Sequence, residues 1–336
     1  MSLLALLART PTAPEPPAPA PAPIVPMPVT VAGVPTAAPW HMADPLVTPT
    51  WDGYGQALHP SVVDFGGKWN GYRFWMAYTP YPRDIDGVVA DHQEDPQVAA
   101  SNDCLTWTPI GPQPIQYRPA NGYNSDVEMV YEPTTDTMHL WWRPVQAKAR
   151  LVHAVSTDGC KTWSSPVTQI EPFGISPCII RYATNDWRMW YRVDDPYMIE
   201  MRTAPSPYGP WSAPVPCTST GADISSSGLG YWHAGIARHK DGRLFQLAHT
   251  SAPKSNNIHA ATSTDDGKTW KWGAAPVLGK DPSSSWARES MYRPYPVLHE
   301  NGTHMRVWYA GLRRIPNGGT GWRIGYTELP LSLWPS

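Results

Sequence analysis

The chain has 336 residues and a formal net charge of −2. With no long run of Lys or Arg it lacks the electrostatic footprint of a nucleic-acid binder, and no apolar run approaches the length that crosses a membrane as a helix. Eighteen Trp and sixteen Tyr against four Phe supply flat apolar faces with a polar handle, which suit strand packing and sugar contact alike.

In chain order, Met1–Arg9 has the leucines of a signal-peptide core but no basic residue ahead of them. Residues 1–10 therefore read as a short apolar anchor. Eleven of the 29 residues from Pro11 to Pro39 are proline. Proline fixes φ and donates no hydrogen bond, so 11–44 reads as an extended polyproline arm. From 45 to 336 the pattern is of short alternating strands.

The first set of strands is His59–Phe65, Tyr72–Tyr78, Pro96–Ala100 and a stretch near Ile110. The second is Asp126–Tyr131, Met138–Trp142, Leu151–Val155 and Pro166–Ile170. The third is Pro177–Tyr182, Trp187–Arg192, Ile199–Thr203 and Ala213–Pro216. The fourth is His233–His239, Leu244–His249, Ile258–Thr262 and Ala275–Leu278. The fifth, Tyr292–His299, Met305–Ala310 and Trp322–Thr327, lacks an outer strand. This periodicity predicts an all-β fold, a five-bladed β-propeller of four-stranded antiparallel blades, with a segment before His59 supplying the missing strand.

A turn recurs ahead of each of the first four outer strands: Ser101–Trp107, Ser156–Trp163, Ser206–Trp211 and Ser263–Trp270. Its tryptophans, Trp107, Trp163, Trp211 and Trp270, lie 56, 48 and 59 residues apart. Asp103, Asp158 and Asp265 are placed to cap backbone N–H groups of the turn, and repetition assigns them to structure. Cys104, Cys160, Cys178 and Cys217 show no paired or metal-type spacing and read as free thiols.

Ser-x-Asp-x-Gly-x-Thr-Trp is similar to the Asp-box of sialidases and other propellers. The inner-strand starts His59-Pro60, Ser125-Asp126, Ser176-Pro177, Trp232-His233 and Tyr292-Arg293, with Ser206-Pro-Tyr-Gly-Pro-Trp211, resemble the five-bladed arabinanase, xylosidase and fructosidase glycoside hydrolases. That resemblance implies a site at the channel mouth, with an Asp base in the first blade, an Asp modulator in the second and a Glu acid in the third. Here those positions hold His59, Asp126 and Ser176, and a serine cannot protonate a leaving oxygen as a carboxylic acid does. The catalytic candidates are Asp126, Glu289 in the loop before the fifth blade, and His59 as a base. Glu94, Asp95 and Glu128 are further acids near strand ends. Arabinanase-like propellers also imply a central cation near His233, but one histidine is a poor metal signal, so no metal or other cofactor is expected. Carbohydrate binding asks less: His59, Tyr81, Tyr123, Asp126, Trp232, His233, Tyr292 and Arg293 form a candidate rim.

The stretches His59-Pro-Ser-Val-Val63 and Asn70–Pro82 also look like lone propellers of bacteriophage tail and virion proteins. On that resemblance the expectation is a virion protein of the tail that binds host cell-surface glycan without catalysis. Its partners would be other virion proteins, met through residues 1–44; otherwise the protein would be secreted or extracellular. The alternatives are an inverting glycoside hydrolase of cell-wall or capsular polysaccharide and a structural docking disc in a particle.

Overall fold

Period-2 alternation over five- to nine-residue runs lets each run pair with its neighbour, and turn residues between runs reverse the chain. The computed structural model describes residues 42, 44–81, 94–193, 198–222, 231–250, 256–314 and 320–336. The anchor at 1–10 and nearly all of the proline-rich arm lie outside the described residues. No described helix is long and apolar enough to cross a membrane.

Blade one comprises β1 (Ala57–Trp69), β2 (Tyr72–Pro80), β3 (Gln97–Ser101) and β4 (Thr108–Ile110), hydrogen-bonded in that order. Blade two repeats this with β5 (Glu128–Glu132), β6 (Thr137–Trp142), β7 (Leu151–Ser156) and β8 (Val167–Ile170). Blade three has β9 (Ile175–Ala183), β10 (Asp186–Val193), β11 (Met198–Ala204) and β12 (Val215–Pro216). The chain then crosses to the next blade, where β13 (Thr218–Gly221) pairs in parallel with the outer strand of the set β14 (Tyr231–Arg238), β15 (Leu244–Thr250), β16 (Ile258–Ser263) and β17 (Thr269–Trp272). Blade five is β18 (Ser290–Leu298), β19 (His304–Arg314) and β20 (Thr320–Pro330). The inner strands β1, β5, β9, β14 and β18 contact one another around the ring, and β18 meets β1 to close it. All residues of β6 and β15 are buried, because a middle strand is covered on both faces by neighbouring blades.

The five-bladed architecture and the missing outer strand of blade five are as the sequence predicts. The way the gap is covered differs. Among the described residues before β1, Leu46 N–H donates to Ile324 O of blade five at 2.8 Å, and none adds a strand to that blade.

The Asp-box turns clasp the ring. In three of them an aspartate accepts from backbone amides, as Asp103 Oδ1 does from Leu105 and Thr106 at 2.9 and 2.7 Å, and in Ser206–Trp211 the Ser206 hydroxyl donates to Gly209 O at 2.8 Å instead. Each turn also docks on the preceding blade. Trp107 packs edge-on to Trp308 of blade five, and Gly159 lies against Asn70 of blade one. Trp211 Nε1 donates to Gln169 of blade two at 2.8 Å, and Trp190 Nε1 of blade three donates to Gly267 O at 3.1 Å. Blade five has no such turn. Its role falls to Trp334, whose Nε1 donates to Gln246 O of blade four at 3.1 Å.

Gly267 has φ +76, and a Cβ there would stand 2.4 Å from Trp190 Nε1. Gly242 has φ +95 but nothing within 4 Å. Gly242→Ala therefore carries backbone strain alone, on the order of 1 kcal/mol. Gly267→Ala adds a clash that pushes blades three and four apart. Denaturant unfolding should show Gly267→Ala losing clearly more stability, and equal losses would contradict the clasp.

Candidate functional site

A residue at or near the start of each inner strand reaches a common point, and at four of them the backbone bends to allow it. His59, Asp126, Ser176 and Arg293 have φ values of 55, 50, 60 and 33, a left-handed region that costs non-glycine residues about 1–3 kcal/mol each. Register breaks between Leu58 and Ser61 and between Tyr292 and Tyr295 mark the bulges that carry two of them. His233 opens the inner strand of blade four, with its own register break between Tyr231 and Ala234. Five strands thereby aim His59, Asp126, Ser176, His233 and Arg293 at one point.

Arg293 forms the floor. Its guanidinium is fully buried and donates to Ser176 Oγ, and to Val127 O and Pro177 O at 3.2 Å. It lies 3.7 Å from Asp126 and 3.5 Å from Glu128. Glu128, one level down the channel, also accepts from Ile179 N, Tyr295 Oη and Ser61 Oγ at 3.1, 3.2 and 3.3 Å. Burial pushes the Glu128 carboxyl up to about 7 against the opposing pull of Arg293. Asp126 goes the other way. Burial alone would raise it, but His233, His59 and Arg293 together hold its carboxyl well below the usual carboxylate range.

Above this floor opens a cavity of about 520 Å³. On its bottom, His59, Asp126 and His233 place one donor atom each within 4.8 Å of one another, and all three residues are buried. His59 Nε2, Asp126 Oδ1 and His233 Nδ1 all lack a hydrogen-bond partner. The far nitrogens are engaged. His59 Nδ1 lies 3.0 Å from Thr79 Oγ1 and 3.1 Å from Glu94 Oε2, and His233 Nε2 lies 2.5 Å from Tyr292 Oη. Tyr292 Oη also accepts from Trp232 Nε1 at 3.1 Å. These outer contacts fix ring orientation and leave a lone pair of each imidazole facing inwards, the arrangement found around metal-ligating histidines. Burial pushes His233 down to about 3 despite the neighbouring Asp126, so it stays neutral, as a ligand must. Asp126 Oδ1 and His233 Nδ1 are 3.0 Å apart, and this contact helps to hold the Asp126 carboxyl ionised. Two imidazoles and a carboxylate are the donor set of an open catalytic zinc-type site.

The structure brings His59, Tyr81, Tyr123, Asp126, Trp232, His233 and Tyr292 into this one cavity. Arg293 lies beneath it, fully buried, and not on the rim. Glu289 accepts the Arg314 N–H at 3.0 Å and is not among the residues lining the cavity, so it does not face Asp126 as a second carboxylate. Glu94 takes that place, beside His59. Sequence reasoning missed Arg143 and Trp322, which also line the cavity. Trp322 lies near the start of the third strand of blade five and packs on Tyr292 at 4.9 Å, and its place close to a strand start was the available signal. The four cysteines are free thiols, as expected. Asp158 and Asp265 stay with the backbone of their turns.

Removing one member of a buried charge group strands the others. Arg293→Met should cost ~3–5 kcal/mol, and adding Glu128→Gln should return part of it. A double variant less stable than Arg293→Met alone would show that Glu128 is not held by this charge.

No family model matches the chain. It is 28% identical over 356 aligned positions to the A type blood N-acetyl-α-D-galactosamine deacetylase of Flavonifractor plautii, covering 81% of this chain and 44% of the relative. The chain thus spans less than half of that protein's length. The solved structure of an N-acetylgalactosamine deacetylase from F. plautii, in complex with blood group B trisaccharide, superposes with a TM-score of 0.71 at 24% identity, covering 85% of this chain and 94% of that one. A GH62 α-L-arabinofuranosidase catalytic domain from Coprinopsis cinerea gives a TM-score of 0.62 at 15% identity over 88% and 98% of the two chains. The likeness to glycoside hydrolase propellers is a likeness of fold. The expectation of a non-catalytic virion protein, or of a docking disc in a particle, is corrected by these matches, which lie with carbohydrate-active enzymes.

Proposed function

We propose that this chain is a hydrolase that removes an N-acyl group from an amino sugar, with a divalent cation held by His59 Nε2, Asp126 Oδ1 and His233 Nδ1. The reading is carried by one observation: His59, Asp126 and His233, all buried, place one donor atom each within 4.8 Å of one another in this cavity. Similarity to an N-acetylgalactosamine deacetylase supports the choice of bond and sugar.

A bound cation would supply Lewis acidity to the acyl carbonyl and lower the pKa of water. The chain supplies the rest. Glu94 lines the cavity beside His59 and takes the proton of the attacking water as its oxygen bonds to the acyl carbon. As the C–N bond breaks, the same carboxyl returns that proton to the leaving amine. Trp232, Tyr81 and Trp322 offer faces on which a sugar ring stacks. Arg293 and Ser176 hold Asp126 and its neighbours from below.

Acetate release from an N-acetylgalactosamine-terminated oligosaccharide tests this. Chelation should abolish release and added divalent metal should restore it. Glu94→Gln should lower kcat by about 10²–10⁴ with little change in KM. Chelator-resistant appearance of new reducing ends, without acetate, would replace this reading with glycosidic cleavage by the Asp126 and Glu94 carboxyls.

A further inference from the structure

We propose that Arg143 forms a carboxylate-binding subsite in the cavity wall, so that the sugar accepted carries an acidic group beside the residue acted on. This rests on the reading of the cavity as a carbohydrate site and goes beyond it by naming the charge of the substrate.

Arg143 directly follows β6, and its backbone exchanges two hydrogen bonds with Ser125, at 2.8 and 2.9 Å. Ser125 adjoins Asp126, so this pairing fixes the arginine beside the convergence point. The side chain is held by Nε donating to Gly174 O at 2.7 Å and Nη1 donating to Ser125 Oγ at 3.3 Å. Ser125 Oγ in turn donates to Asp126 Oδ2 at 3.1 Å. Two of the five guanidinium N–H groups are thereby used, both on neutral acceptors, and three remain. Arg73, Arg188 and Arg306 each meet a carboxylate within 4 Å, and among the described residues Arg143 does not. It is half-buried and lines the cavity.

A fixed guanidinium with neutral supports and open N–H groups is a fork shaped for a planar carboxylate. The charge balance of the cavity points the same way. The carboxylates of Asp126 and Glu94 face Arg143 and Arg293 in equal number. A divalent cation then leaves the site net positive, even with Glu128 ionised beneath. Neutral sugars gain nothing from that charge, whereas an acidic one compensates it. Because the fork sits in the wall and the three ligand atoms on the floor, the acidic group belongs to a neighbouring residue or substituent of the sugar, not to the acyl group removed.

The test uses the metal-loaded full chain and two forms of one oligosaccharide, unsulfated chondroitin tetrasaccharide and the same compound with its carboxyls reduced to alcohols. Their affinities are compared by tryptophan fluorescence or calorimetry. The wild type should prefer the acidic form by about 10- to 100-fold. Arg143→Gln should remove most of that preference, and Arg143→Lys, which keeps charge but not the fork, should fall between. Equal affinities in the wild type, no binding of the acidic form, or a preference that survives Arg143→Gln would each overturn the subsite. Acetate release from neutral N-acetylated oligosaccharides reports on the parent reading separately.

Discussion

The buried guanidinium of Arg293 sets the terms for everything above it. A charge with no solvent exposure persists only if neighbours compensate it, and here Asp126, Glu128, Ser176 and two backbone carbonyls do so. Blades two, three and five are thereby tied together at the axis. Two of those acids answer the same cation differently. Glu128 is sealed below and its carboxyl rises to about 7. Asp126, with the histidines also beside it, stays ionised. The cavity floor thus presents one carboxylate and neutral His233, an electrostatic state suited to a divalent cation.

Holding that geometry is costly, since four of the converging residues sit in the left-handed region. A strained backbone persists only where its surroundings over-determine it. The Asp-box turns and Trp334 supply that rigidity at the rim of the ring, far from the chemistry. Their acids are consumed in capping amides, which is why a motif rich in aspartate contributes nothing to the site.

The fold was legible because it is repeated. Four copies of one turn and five sets of strands each carry the same local signal, and errors in one are corrected by the others. The inner-strand starts were legible for the same reason, and they led to His59, Asp126 and His233. What could not be read was which side-chain atoms converge. His59 and His233 are 174 positions apart in sequence, so a search for metal-type spacing counts each as solitary. Arg293 was misjudged as a rim residue because strand position gives depth only approximately, and its long side chain reaches down the axis. Glu289 was chosen over Glu94 as the partner of Asp126 on loop position, which does not show where a carboxylate points. The virion reading rested on the look of two strands, and propeller strands look alike whatever the molecule does.

Ser176 argues most directly about the chemistry. In glycoside hydrolases of this architecture the third blade is expected to supply the acid that protonates the leaving oxygen. Here the hydroxyl accepts from Ala234 N at 2.9 Å and from Arg293, so the position has become part of the support beneath Asp126. A serine at this position rules out glycosidic cleavage by the paired-carboxylate route through it. The aspartate of the second blade remains, but in new company. It has His59 and His233 beside it and Arg293 beneath, and on the proposed reading it ligates a cation rather than tuning an acid.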